Sequence, residues 1–150
     1  MSIFNAINTS AGALTAQRLR MDVVSSNVAN SQSTRATIDE NGEWVPYRRK
    51  LVTFQSEENS FKSLLNKEQN TTKNAVGVRA TVISEDQEPF KQVYNPTHPD
   101  ANEAGFVEMP NIDPLQEMVD LMSATRSYEA NVTALNASKN MLMKALEIGK

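Results

Sequence analysis

Hydrophobic residues near the C-terminus recur on a heptad. Leu121, Tyr128, Leu135 and Leu142 fall every seventh residue, and Met118, Thr125, Val132, Lys139 and Leu146 interleave at alternating three- and four-residue steps. Near the N-terminus Ile7, Leu14, Met21 and Val28 repeat with the same spacing. A mean period of 3.5 keeps such residues on one line only when helices wrap around each other. The pattern therefore predicts two long terminal helices, paired as a coiled-coil-like domain. Its expected assembly interface is Ile7, Leu14, Met21, Val28, Met118, Leu121, Tyr128, Val132, Leu135, Leu142 and Leu146.

The N-terminal helix is expected over residues 3 to about 28. A second, weaker seam through Phe4 and Ala11 turns polar at Arg18 and Ser25, which describes a helix in contact on more than one side but not buried all round. It should fade through Ser25–Ser31, where Ser and Asn side chains compete for backbone hydrogen bonds. The C-terminal helix has a sharp start: Asp113 as N-cap, Pro114 at the first helical position and Gln116 at the capping-box position. Glu117 and Asp120 early and Lys144 and Lys150 late suit the macrodipole. From Pro114 to about Ile148 this helix would run ~50 Å, against ~40 Å for its partner. The faces left over would carry Leu115, Val119, Met122 and Met141. Methionines cluster here, and methionine content alone is read as gap-filling within the chain's own core.

Between the helices, about 35 to 110, the pattern changes. Asn41-Gly42 is a two-residue hairpin signal, since both residues accept the positive φ of a type I′ turn. A run of β-formers from Trp44 to Phe54 follows, then an alternating stretch through Val76, Val78, Ala80 and Val82 that predicts a half-buried strand. Phe90–Tyr94 and Phe106–Met109 are shorter strand candidates. Ser56–Asn74, rich in Ser, Asn, Lys and Glu, is expected to be a long exposed loop with a helical turn near Phe61–Leu65. The fold class is thus mainly α with a β-containing insertion (α+β). Residues 1–34 and 112–150 form a discontinuous helical assembly domain, and residues 35–111 a β-rich middle region with a flexible loop at about 56–74.

Composition narrows the chemistry. The net charge is -3, with no electrostatic footprint for nucleic acid. No run of about eighteen apolar residues is present, so no membrane-spanning helix is expected. Cysteine is absent, which removes disulfides, thiolate metal sites and a Cys nucleophile together. No basic segment leads into an apolar core at the start, so a cleaved secretory signal is not expected. His98-Pro99-Asp100 with Glu103 is the one constellation resembling a site. A single His between Pro96 and Pro99 favours a turn-stabilising hydrogen bond over catalysis or metal binding. Asn27, Asn30, Asn131 and Asn136 read as interhelix or backbone hydrogen-bond partners. No enzyme, cofactor, metal or small-molecule ligand is expected.

Several segments together carry a resemblance. Ser26-Asn27-Val28-Ala29-Asn30 followed by Ser33-Thr34-Arg35 resembles the N-terminal signature of bacterial flagellar rod and hook proteins, and Glu117-Met118-Val119-Asp120 with Ser127-Tyr128-Glu129-Ala130-Asn131 resembles their C-terminal one. The central block is similar to that of the short rod subunits: Tyr94 to Ala101, including Pro96, His98, Pro99 and Asp100, then Gly105-Phe106-Val107 and Met109-Pro110-Asn111-Ile112-Asp113. Pro46 to Lys50 and Ala145 to Gly149 also fit. The likeness covers nearly the whole chain and departs at Thr97, where Gly is common, and at Ser31-Gln32-Ser33.

The resemblance implies a proximal-rod subunit of the flagellar drive shaft in the basal body. It would be exported by the flagellar type III apparatus and packed through its terminal helices against copies of itself and other rod proteins. A further implied partner is the adaptor joining the rod to the membrane ring. Alternatives from the residues are another rod paralogue, a cytosolic coiled-coil adaptor closing as a dimer, and an envelope hydrolase built on His98 with Asp100 or Glu103.

Overall fold

The computed structural model describes residues 3–40, 42–56 and 77–148 of the chain. The expected loop at Ser56–Asn74, with its helical turn, lies outside the described residues except for Ser56. Element order is α1 (Ile3–Ala29), β1 (Thr37–Ile38), β2 (Trp44–Val45), β3 (Lys50–Ser56), β4 (Val78–Glu85), β5 (Lys91–Tyr94), β6 (Phe106–Met109) and α2 (Pro114–Ile148). Among the described residues, two long terminal helices enclose in sequence a middle of three two-stranded pairs, β1-β2, β3-β4 and β5-β6. The fold is α+β and mostly helical, as the heptads and the change of pattern between them predicted.

The chain forms two compact units, and each long helix contributes to both. The first contains Met1–Met21, Val52–Val82 and Met122–Lys150; the second contains Asp22–Leu51 and Ile83–Leu121. In the first, Ala16 of α1 and Ala124 of α2 are fully buried, and the Thr125 hydroxyl donates to the Met21 sulfur at 3.5 Å. Val52 and Phe54 are half-buried while Thr53 and Gln55 face out, the alternation a strand pleat imposes. Gly12 lies where α1 meets the start of β4: a Cβ there would sit 3.2 Å from the Val78 carbonyl oxygen.

In the second unit the apolar core is Val23, Val24, Val107 and Ile112. Strands β5 and β6 are antiparallel with Tyr94 opposite Phe106, their rings meeting edge to face at 5.3 Å. Helix α2 begins as its sequence predicted, with Asp113 Oδ1 accepting from the Leu115 N–H at 3.0 Å, so one orphan amide of the first turn is satisfied.

Four expectations change. The hairpin at Asn41-Gly42 exists, with Ile38 opposite Trp44, but it is not a two-residue turn. The Gly42 N–H bonds to the Asp39 carbonyl and the Asp39 N–H to the Glu43 carbonyl, with Gly42 at φ 83°. This is a three-residue connection closed by a left-handed glycine, which needs only one positive φ; Asn41 itself lies outside the described residues. The run from Trp44 to Phe54 is broken at 46–49. Pro46 has no N–H for a ladder, and the Tyr47 N–H is taken by the Ser33 carbonyl. The alternation of β4 does not half-bury it: Val78 and Val82 are exposed because the strand belongs to a two-stranded ribbon. Finally, the methionines do not fill a core. Met118, Met122, Met141 and Met143 are all at least half exposed.

Candidate functional site

Near the C-terminal end of α1, the Asn27 side chain is 1% exposed and behaves as a piece of backbone. Its Oδ1 accepts the Lys50 N–H and its Nδ2 donates to the Lys50 carbonyl, both at 2.9 Å, so the amide pairs with the first residue of β3 as a neighbouring strand would. Nδ2 also donates to Glu117 Oε2 at 3.1 Å, and Tyr47 donates its hydroxyl hydrogen to Oδ1 at 3.3 Å. Ser26 Oγ lies 3.2 Å from the same Tyr47 hydroxyl.

Glu117, in the first turns of α2, is the other centre of this network and is also 1% exposed. Its Oε1 accepts from Arg49 Nε at 2.7 Å and from Nη2 at 2.6 Å, while Arg49 Nη1 reaches Asp86 Oδ2 at 3.6 Å. Burial works against the Arg49 charge. The hydrogen bond and charge of Glu117, with those of Asp86, outweigh it and hold the guanidinium above its ordinary value. The Asp86 N–H closes the circuit on the Arg49 carbonyl at 2.8 Å. A buried carboxylate is costly unless its lone pairs are satisfied, and here three donors point at it. The result is a joint in which α1, the 47–50 segment and α2 share one charged, saturated hydrogen-bond cluster.

A second clip closes the turn after β5. Asp100 accepts from Arg35 Nε at 2.7 Å, from Arg35 Nη2, and from Thr34 Oγ1 at 2.9 Å. The Arg35 hydrogen bond foremost holds its carboxyl below the usual range, against some burial, with Thr34 and the charge of Arg35 adding to it. His98 Nδ1 accepts the Asp100 N–H at 3.1 Å, the turn-stabilising bond expected of the single histidine. Thr97, where Gly was the common residue, donates its hydroxyl to Asn95 Oδ1 at 2.8 Å and so is absorbed into the turn. Gly105 sits at φ 81°, and a Cβ there would fall 2.9 Å from the Tyr94 ring.

Of the two expected lines on α2, Leu121–Tyr128–Leu135–Leu142 lies on the half-buried side, while the line that interleaves with it runs one residue earlier than Met118–Thr125–Val132–Lys139. On α2 the deeply buried residues are Glu117, Ala124 and Ser138, with half-buried Asn131 completing a seven-residue line of small and polar side chains. Leu121, Tyr128, Val132, Leu135 and Leu142 are only half-buried, as are Ile7, Leu14, Met21 and Val28 on α1, while Met118 and Leu146 are exposed. Leu115, Val119, Met122 and Met141 are 71%, 49%, 55% and 56% exposed. The most buried positions of α2 are thus small or polar, and a second set of large apolar side chains faces out.

The motif residues divide between these places. Asn27 enters the joint; His98 and Asp100 enter the clip; Asn111 Nδ2 bonds Glu88 Oε2. Asn30 and Asn131 bond backward to the Ser26 and Ser127 carbonyls within their helices. Pro110 is fully buried, Pro96 and Pro99 lie exposed in the turn, and Ala29 and Glu129 are exposed on their helices. Sequence reasoning gave Asp86 no role, quoted Arg49 and Glu117 only as parts of the family resemblance, and assigned Glu117 no function beyond complementing the helix dipole. The available signal was the spacing: Glu117 stands seven residues before Ala124, on the small-residue line rather than the leucine line.

Long terminal helices with apolar faces open to a neighbour, locked to a middle of small strand pairs, define an assembling structural protein. Comparison with known proteins gives the family. The model "Flagella basal body rod protein" matches residues 7–37, and "Flagellar basal body rod FlgEFG protein C-terminal" matches residues 103–148. The flagellar basal-body rod protein FlgC of Bacillus subtilis is 62% identical, with 100% of each chain covered. The FlgC protein of Borreliella burgdorferi is 40% identical over 99% of this chain and 98% of its own, and that of Escherichia coli O157:H7 39% identical over 100% of both. The chain belongs to the FlgC family of flagellar basal-body rod proteins.

Proposed function

We propose that this chain is a structural subunit of the proximal rod of the flagellar basal body, assembling through its terminal helices into a helical shaft that transmits torque. The observation that carries this reading, in a member of this family, is the outward apolar face of α2, where Leu115 and Leu146 are 71% and 75% exposed. Solvated faces of that kind find their burial in neighbouring subunits. Contacts between unlike surfaces propagate along a helical stack instead of closing as a dimer.

In this reading residues 1–34 and 112–150 act as the assembly domain and 35–111 as the outer region. The heptad residues from Ile7 to Val28, half-buried, and from Met118 to Leu146, half-buried or exposed, gain contacts in the rod. Motif residues such as Asn27, Asp100, Gly105 and Pro110 shape the subunit instead of touching a ligand. Partners are copies of the chain, other rod proteins, the adaptor between rod and membrane ring, and the type III export apparatus that delivers it without signal cleavage.

The test uses Leu115→Asp and Val119→Asp, both at exposed positions. Urea unfolding of the purified variants should match wild type within about 0.5 kcal/mol, as for surface changes. Motility, and recovery of the chain in purified basal bodies, should be lost. Normal rods and swimming in the doubly substituted strain would overturn the proposal.

A further inference from the structure

The β1-β2 hairpin carries an apolar pair that nothing in its own unit covers. Ile38 and Trp44 are directly opposite in the antiparallel register, and both remain more than half exposed, at 58% and 53%. Side chains opposite each other on a ribbon lie on one face, so the two form a single aromatic-aliphatic patch. Tryptophan in such a position is the residue type that most often anchors an interface. The three charged residues of the intervening turn, Asp39, Glu40 and Glu43, are all acidic and exposed.

Charge identifies what the patch meets. The unit holding the hairpin carries 5 Lys and Arg against 13 Asp and Glu, whereas the other unit carries 10 against 5. Each copy therefore has one strongly acidic and one basic unit. Copies oriented alike and set side by side attract through unlike units and repel through like ones. Within the basic unit, Lys139, Met143 and Leu146 follow one another at four and three residues on α2, and all are exposed. That row offers apolar side chains for Ile38 and Trp44, and a cation for the turn carboxylates.

We infer that the Ile38–Trp44 hairpin of one subunit docks on the Lys139–Met143–Leu146 row of a second copy of this chain, a heterologous contact between the middle region of one copy and the exposed end of α2 in the next. The inference rests on the rod-subunit reading and goes beyond it by naming a surface pair. The contact uses unlike surfaces, so each copy donates a hairpin and receives one, and the association continues along the assembly. Charge draws the acidic hairpin turn of one copy to Lys139 of the next, and the apolar pair provides the anchor.

The absence of cysteine makes the test direct. A strain lacking its own copy expresses the E43C and M143C full-length chains together, and its purified basal bodies are oxidised. The expected result is a disulfide-linked dimer that neither variant gives alone, lost when Trp44→Ser is added to the E43C chain. Rods containing both variants with no such dimer overturn the inference and leave the structural role standing. Absence of the wild-type chain from purified rods overturns the structural role instead. A charge exchange covers the case in which a cysteine variant does not enter rods. E43K and K139E should each reduce swimming, and the two combined in one chain should restore it; failure of the combination to restore swimming overturns the pairing.

Discussion

Replacing Arg49 by Met isolates the buried charge at the centre of the joint. Wild-type Glu117 receives two bonds from Arg49 and one from Asn27, and is 1% exposed. Arg49→Met removes both charged donors while keeping most of the side chain's bulk, leaving a carboxylate in a closed site with one neutral donor. Breaking a buried ion pair on one side costs about 3–5 kcal/mol. The low end applies, because the Arg49 side chain is itself 25% exposed and water can enter where it lay. A cost of about 3 kcal/mol, with a urea slope of about 2 kcal/mol/M, moves the unfolding midpoint down by about 1.5 M.

The second arm is Glu117→Gln. In the wild-type background it keeps an acceptor for Asn27 and leaves Arg49 facing Asp86, so it should cost about 1–2 kcal/mol. In the Arg49→Met background it removes the stranded charge and should recover much of the loss. The two substitutions are therefore expected to be non-additive by about 2 kcal/mol, within the range found for directly bonded pairs. Urea titration of the isolated chain by far-UV circular dichroism measures all four corners of the cycle. If Arg49→Met lies within about 0.5 kcal/mol of wild type, or the pair is additive, the joint does not carry the buried charge as argued.

Gly105→Ala should cost more than Gly42→Ala in the same assay. Both glycines have φ near 80°, worth about 1–2 kcal/mol to an L residue, but the new methyl at 105 also meets the Tyr94 ring at 2.9 Å, whereas nothing lies within 4 Å at 42. Equal costs would refute the contact. Asp100→Asn tests the clip through pH. A carboxyl held below its ordinary value stabilises the fold above the unfolded pKa, and that stabilisation is lost as pH falls through the folded one. The stability gap between wild type and Asp100→Asn should be flat at neutral pH and close as pH drops below 3.8. A gap that widens on acidification would contradict the Arg35–Asp100 assignment.

The long helices and their limits were legible because 3.5-residue periodicity, Asp113-Pro114 and the Ser/Asn cluster after Val24 are local signals. One line of the α2 seam was legible and its companion was not. The heptad places Met118, Thr125 and Val132 on the second line, yet the more buried line runs one residue earlier through Glu117, Ala124 and Asn131, polar or small residues that a hydrophobic pattern passes over. Asn27 was read correctly as a hydrogen-bond partner because a polar residue near a seam has few alternatives. Glu117 was misread because its partners, Arg49 and Asn27, are distant in sequence, and a pairing of that separation leaves no local trace. The turn at 95–105 was legible for the same reason as the caps: Asn95, His98 and Asn102 accept from amides within four residues of themselves.

The small-residue line of α2 and the buried joint have one physical cause. A helix whose most buried positions are Glu117, Ala124 and Ser138 has no large apolar side chain at those positions, so the contacts made there must be specific. Arg49, Glu117 and Asn27 supply that specificity: their bonds fix which residue of α2 meets which residue of α1, at little net gain in stability. The apolar area withheld from the interior remains on Leu115, Val119 and Met122. At about 25 cal/mol per Å², that area contributes nothing while solvated and, in the rod contacts proposed above, would add to the stability of the assembly.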